Sequence, residues 1–184
     1  MTIEHRMSPA TFDKIEGRTL SAYAILWNVT ARIGDEFEEQ WERGAFTRTL
    51  SDRTGMRDLV MLADHSPRDY LGRVANDTMR LSEDARGLLV EVDLPETTLG
   101  DDILALARRS DLGGLSVGFS VSPGGDSFAG NRRTIREANL YEVSVIKTHA
   151  AFPETSETIS VRSIHEGAAA DIRRRLYSFY LSGA

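Results

Sequence analysis

Three residue types in this chain could together carry out acyl transfer: a serine, a histidine and a carboxylate. The serine is Ser116, within residues 113–120, GGLSVGFS. Taken with a period of two, Leu115, Val117, Phe119 and Val121 share one face, and Ser116, Gly118, Ser120 and Ser122 share the other. The first face needs a core. The second carries almost no bulk, so the backbone of another chain can approach it closely. A serine on a strand is ordinarily just a small polar residue, and it becomes a nucleophile only beside a positioned base.

Four histidines could be that base: His5, His65, His149 and His165. His5 and His165 lie in weakly patterned terminal segments and read as solvated. His65 follows the apolar run at 59–63 and precedes Ser66-Pro67, a turn signal. It reads either as an ordinary polar strand end or as a general base aimed into the same cleft as Ser116. A third member must orient the imidazole. Glu142 interrupts residues 139–146, NLYEVSVI, where Tyr141, Val143 and Val145 form one face and Glu142, Ser144 and Ile146 the other. Periodicity leaves two readings of Glu142 open, a solvent-facing acid or a buried acid with a partner. His149 competes for the same role. Asp64 falls on the opposite strand face from His65, which makes it a poor orienter. No histidine–carboxylate cluster has metal-ligand spacing, so neither a metal nor a cofactor is expected.

The elements that must hold these residues are mostly strands. Residues 20–27, 59–63, 71–74, 78–81, 88–94, 132–136 and 139–146 read as strands, with weaker signals at 36–41 and 159–161. Residues 28–35 and 123–131 read as loops, and 47–52 as a short helix. The clearest helix covers 99–110, where Leu99, Ile103, Leu106 and Ala107 share a face. Asp101 and Asp102 in its first turn and Arg108 and Arg109 in its last complement the helix dipole. A separate amphipathic helix is expected at 166–181. Many short strands with few helices imply a mainly β fold, a barrel or a sandwich with helices attached.

The 184 residues suffice for one domain with short appendages. We expect a loose N-terminal arm at 1–18, a β domain at 19–164 and a helical tail at 165–184. The absence of cysteine excludes disulfide scaffolds and thiol catalysis. No secretory leader is legible at the N-terminus, and no apolar run is long enough to span a bilayer. A net charge of −6 argues against general nucleic-acid binding, the run Arg173-Arg174-Arg175 being a local exception.

Several short blocks, in order, carry a resemblance. They are residues 23–28 (YAILWN), Gly44-Ala45-Phe46, His65 with Leu71-Gly72-Arg73, residues 83–88, residues 114–119 and residues 140–145. With them the chain resembles the prohead (capsid maturation) proteases of HK97-type tailed bacteriophages, serine peptidases related to the herpesvirus assemblin proteases. The resemblance implies a closed β-barrel flanked by helices, with Ser116 as nucleophile and His65 as base. It implies a third member on the strand after the serine strand, where this chain has Glu142. Phage relatives often continue into a Thr-x-Pro-Ala turn, whereas residues 147–153 here are KTHAAFP, which keeps His149 open as the alternative. Backbone N–H groups of Lys147 to His149 are candidates for the oxyanion donors. The implied substrates are the scaffold or delta segment of the major capsid protein and the protease itself, with room for a homo-oligomer and no nucleic-acid or membrane partner. The implied location is the assembling procapsid in the bacterial host cytoplasm. The rival reading is a catalytically inert capsid-assembly module of the same fold.

Overall fold

Alternation of apolar and polar residues decides most of the architecture. The computed structural model describes residues 3–8, 12, 14–147 and 160–161. Its strands are β1 (Glu4–Ser8), β2 (Lys14–Glu16), β3 (Thr19–Leu26), β4 (Ala31–Ile33), β5 (Phe37–Trp41), β6 (Val60–Ala63) and β7 (Ser66–Arg73). They continue with β8 (Met79–Glu83), β9 (Gly87–Asp93), β10 (Gly114–Val121), β11 (Asp126–Ala129), β12 (Arg132–Ile135), β13 (Ala138–Ile146) and β14 (Ser160–Val161). Two α-helices interrupt them, α1 (Thr47–Ser51) and α2 (Thr98–Arg108).

The strands form three sheets, ordered β1-β10-β13-β6-β7, β11-β12-β5-β4-β14 and β2-β3-β9-β8. Among the described residues no sheet closes on itself, so the mainly β class holds while the expected closed barrel is not seen as one continuous sheet. The core takes Leu20, Ala22 and Ala24 from β3, Leu88, Val90 and Val92 from β9, Leu115, Val117 and Phe119 from β10, and Val143 and Val145 from β13. Each of the leucine, valine and phenylalanine side chains stabilises the fold by roughly 1.5–3 kcal/mol when fully buried. Phe119 also packs edge-on against Trp41 at 4.7 Å, and Trp41 stacks on Phe46 at 5.0 Å. These rings tie β10 to the neighbouring sheet.

Helix α2 starts at Thr97, whose side chain accepts a hydrogen bond from the Gly100 N–H, and Asp101 and Arg108 flank its ends as the dipole requires. Its buried residues are Gly100, Ile103, Leu104 and Ala107, while Leu99 and Leu106 pack half-buried against the core, so the expected face is present and Leu104 widens it.

Four expectations need correction. The N-terminal arm is not loose: β1 pairs with β10 from Glu4↔Phe119 to Ser8↔Leu115, and β2 pairs with β3. The expected loops at 28–35 and 123–131 contain β4 and β11. The open face of β10 is not open, since Gly114 to Ser120 are all buried. Finally, alternation along β13 is broken by a bulge, because pairing slips between Gly118 and Phe119 so that Glu142 faces Gly118 while Leu140 faces Phe119. The extra residue is Tyr141. Its hydroxyl lies 2.9 Å from Ser120 Oγ, on the face away from the core rather than the apolar face that strict alternation assigns it. The helix expected at 166–181 lies outside the described residues.

Candidate active site

Three neighbouring strands and one turn converge on the polar face of the first sheet. Across β10 and β13, Ser116 is paired with Ser144 and Gly118 with Glu142. On the other side of β10, Met7 faces Ser116 and His5 faces Gly118. Partners in such pairs share a face, with Cβ atoms about 5 Å apart. His5, Ser116, Ser144 and Glu142 therefore occupy one patch. All four are buried: Ser116 is 2 % exposed, Ser144 fully covered, and His5 and Glu142 5 % each.

His65 arrives from a tight turn. Ala63 pairs with Ser66, leaving Asp64 and His65 as a two-residue connection between β6 and β7. Both have positive φ, 49° and 57°, the pattern of a type I′ hairpin. A left-handed conformation costs a residue with a Cβ roughly 1–2 kcal/mol, so neighbours must hold His65 there. Asp64 does much of this: its N–H donates to Val145 O (2.9 Å), and its carboxylate accepts from the Lys147 N–H (2.9 Å) and pairs with Lys147 Nζ (3.1 Å). The Lys147 amide is thus engaged and is not a free oxyanion donor. His65 itself donates its backbone N–H to Ser144 Oγ (3.2 Å). His65 is therefore held in a two-residue turn with left-handed backbone, not at the end of a strand.

The side-chain geometry follows from that placement. His65 Nδ1 lies 2.5 Å from Glu142 Oε1, and Ser144 Oγ donates to Glu142 Oε2 at 2.6 Å. A carboxylate only accepts, so Nδ1 is the donor, and in the neutral imidazole the lone pair then sits on Nε2. That Nε2 is buried and, among the described residues, has no hydrogen-bond partner. Of the two readings of Glu142, the buried, partnered acid is the one observed.

Gly118 explains how the carboxylate fits. A Cβ at this position would stand 2.8 Å from Glu142 Oε1 and 3.0 Å from its Cγ. The bare position on the serine strand is therefore filled by the acid, not kept open for a foreign backbone.

Sequence reasoning misplaced one residue outright. His5, read as solvated, packs tilted against His65 with ring centroids 4.2 Å apart and lies 3.6 Å from Glu142 Oε1 through Nε2. Burial, and then the neighbouring His65, push its pKa down to about 4 against the opposing pull of Glu142. The polar pentapeptide EHRMS has no local feature that marks it, because only the pairing with β10 brings it here. His149 and His165 lie outside the described residues. The structure also gathers ligand-type side chains that have no metal-ligand spacing in the sequence. Atoms of His5, His65 and Glu142 lie within 4.8 Å of one another, which three distant segments conceal from any spacing rule. The 2.5 Å contact between His65 and Glu142 is already satisfied as a hydrogen bond, and a zinc ion with bonds of about 2.0–2.2 Å would have to part them.

A family model described as caudovirus prohead serine protease matches residues 7–169. The chain belongs to that family. No curated protein and no solved structure matches it. The protein is accordingly a serine peptidase of the capsid maturation class, with capsid proteins as its substrates and the procapsid as its place of action. The match takes in Ser116, His65 and Glu142 and begins after His5. No described helix of the protease is long and apolar enough to cross a membrane. Membership in a peptidase family gives the inert-module reading no support.

Proposed function

We propose that the protease cleaves peptide bonds through an acyl-enzyme formed on Ser116, with His65 as base and Glu142 as the residue that orients it. The observation that carries this reading is His65, whose Nδ1 is committed to Glu142, the residue paired with Gly118 of the serine strand, while its Nε2 has no partner among the described residues. In the first half-reaction the Ser116 hydroxyl proton passes to His65 Nε2 as Oγ bonds to the scissile carbonyl carbon. The imidazolium then protonates the departing amine as the C–N bond breaks. Water repeats the sequence: it gives a proton to His65, attacks the ester, and releases the acid and free Ser116. Ser144 holds the second carboxylate oxygen and the turn backbone, a positioning role.

The substrates that suit this reading are the scaffold or delta segment of the major capsid protein and the protease itself, in the host cytoplasm. Since Ser116 is almost fully covered, a polypeptide reaches it only when that cover moves aside, which makes cleavage conditional on opening. A closed barrel fits the same reading, because the edge strands of the first sheet approach the third: β1 contacts β3, and β7 contacts β8 and β9. Residues 166–184 would serve as a scaffold-docking tail.

The test is co-expression with the cognate capsid protein, with cleavage followed by mass spectrometry. Ser116→Ala and His65→Ala should each lower processing by at least about a thousandfold, and Ser144→Ala by roughly tenfold. Undiminished processing by Ser116→Ala, or a complete loss in Ser144→Ala alone, would transfer the nucleophile role away from Ser116.

A further inference from the structure

We infer that His5 is a positioning residue of the active site, acting on His65 and Glu142 from the N-terminal strand. The inference rests on the proposed triad, but it is carried by separate observations. The first is contact: the His5 ring lies against the His65 ring at 4.2 Å with a 60° tilt, and its Nε2 stands 3.6 Å from the oxygen that His65 Nδ1 uses. Hydrogen bonds of resting active sites are often long and tighten as charge develops. A donor at this distance can close on Glu142 Oε1 when the imidazolium forms. Meanwhile the ring face keeps His65 from swinging away.

The second observation is that the site commits to a neutral His5. It is 5 % exposed and meets His65 from the β6–β7 turn, Glu142 from β13 and Arg6 from its own strand, while Gly118 across β10 offers no side chain. A cation here would oppose the imidazolium that His65 must become. A neutral ring supplies a donor without that repulsion. The third is anchorage. Arg6 donates to Glu39 at 2.8 and 2.9 Å, and Arg133 bonds Glu4 at 2.7 and 3.0 Å. A strand pinned by buried ion pairs on one face is a permanent wall, not a plug waiting to leave, so the histidine on its other face is permanently part of the site.

The experiment is the rate at which a fluorophosphonate labels Ser116 in the full chain, comparing wild type with His5→Gln, which keeps a donor, and His5→Phe, which keeps only the ring. The low-field proton resonance of His65 Nδ1–H is recorded alongside. We expect His5→Phe to label roughly tenfold more slowly and to shift that resonance, with His5→Gln within about threefold of wild type. A purely structural role would lower the melting temperature while leaving the labelling rate of folded protein and the resonance unchanged, and that result overturns the inference. Faster labelling in either variant also overturns it, since β1 would then be an obstruction. A wild type that never labels would remove the triad reading and His5 with it, an outcome distinct from equal rates in all three proteins.

Discussion

Strand β1 separates two buried polar clusters, and they are built on opposite principles. Towards the core, Glu4 and Arg6 join Glu39 of β5, Arg133 of β12 and Asp126 of β11. Arg6 is further matched by the His5 carbonyl and lies over the Phe119 ring at 5.3 Å. The acids and the fork geometry of arginine satisfy one another. Burial by itself would raise the Glu4 carboxyl, yet Arg133 and Arg6 outweigh it and hold it below its usual range. On the other face, His5, His65, Glu142 and Ser144 share fewer bonds, and among the described residues two ring nitrogens have no partner, His5 Nδ1 and His65 Nε2. A buried polar atom without a partner costs on the order of 1–3 kcal/mol. The cluster that holds strands together is matched bond for bond, whereas the one proposed to move a proton keeps ring nitrogens open.

The sharpest way to test that contrast is to damage the closed cluster alone. Glu39→Gln places an amide donor against arginine donors in a site that is 1 % exposed. The expected loss of folding stability is about 3–5 kcal/mol, read from urea melts, with the labelling rate per folded molecule nearly unchanged. A stable variant with impaired chemistry would mean that the two clusters are one functional unit.

A smaller effect is expected from pressing on the open cluster without touching its functional groups. Gly118→Ala puts a methyl group against the Glu142 carboxylate, which must give way and loosen the 2.5 Å hold on His65. We expect a roughly hundredfold loss of acylation rate with modest loss of stability, since small misplacements of an orienting group are costly. Unchanged kinetics would show that Glu142 is not held where its function requires.

The same contrast governs what could be seen in the sequence. Period-two alternation is local, so the core faces of β9 and β10 were legible from Leu88-Val90-Val92 and Leu115-Val117-Phe119. Ser116, His65 and Glu142 stood out by chemical type, and the structure does join the last two. What was hidden depends on pairing between remote segments. His5 reaches the site only through β1 and β10, which lie more than a hundred residues apart. Tyr141 changes face because of a bulge that no residue type announces. Gly118 looked like room for a substrate because the side chain that fills it comes from another strand. The shared blocks outside the site proved to be scaffold. Glu83 accepts from the Phe46 N–H and Thr47 hydroxyl, and Asp84 from the Tyr23 hydroxyl.

The smallest predicted effect separates the clusters by pH. The His5 pKa is depressed to about 4 in the folded protein, while an unfolded histidine titrates near 6.5. Between those values the unfolded state binds more protons, so stability rises with pH. It is fully present above about 6.5 and is lost as the pH falls towards 4. Glu4 has a lowered carboxyl, so its contribution is present above its unfolded value and is lost only as the pH falls further, through the folded value. The open cluster should therefore weaken first on acidification and the closed one later. Unfolding free energies from pH 8 to 4 should fall by about 2–3 kcal/mol more in wild type than in His5→Phe, which cannot take up the proton. Parallel curves for the two proteins across that interval would mean that His5 titrates as it would in water, and that the open cluster does not exclude charge as its burial implies.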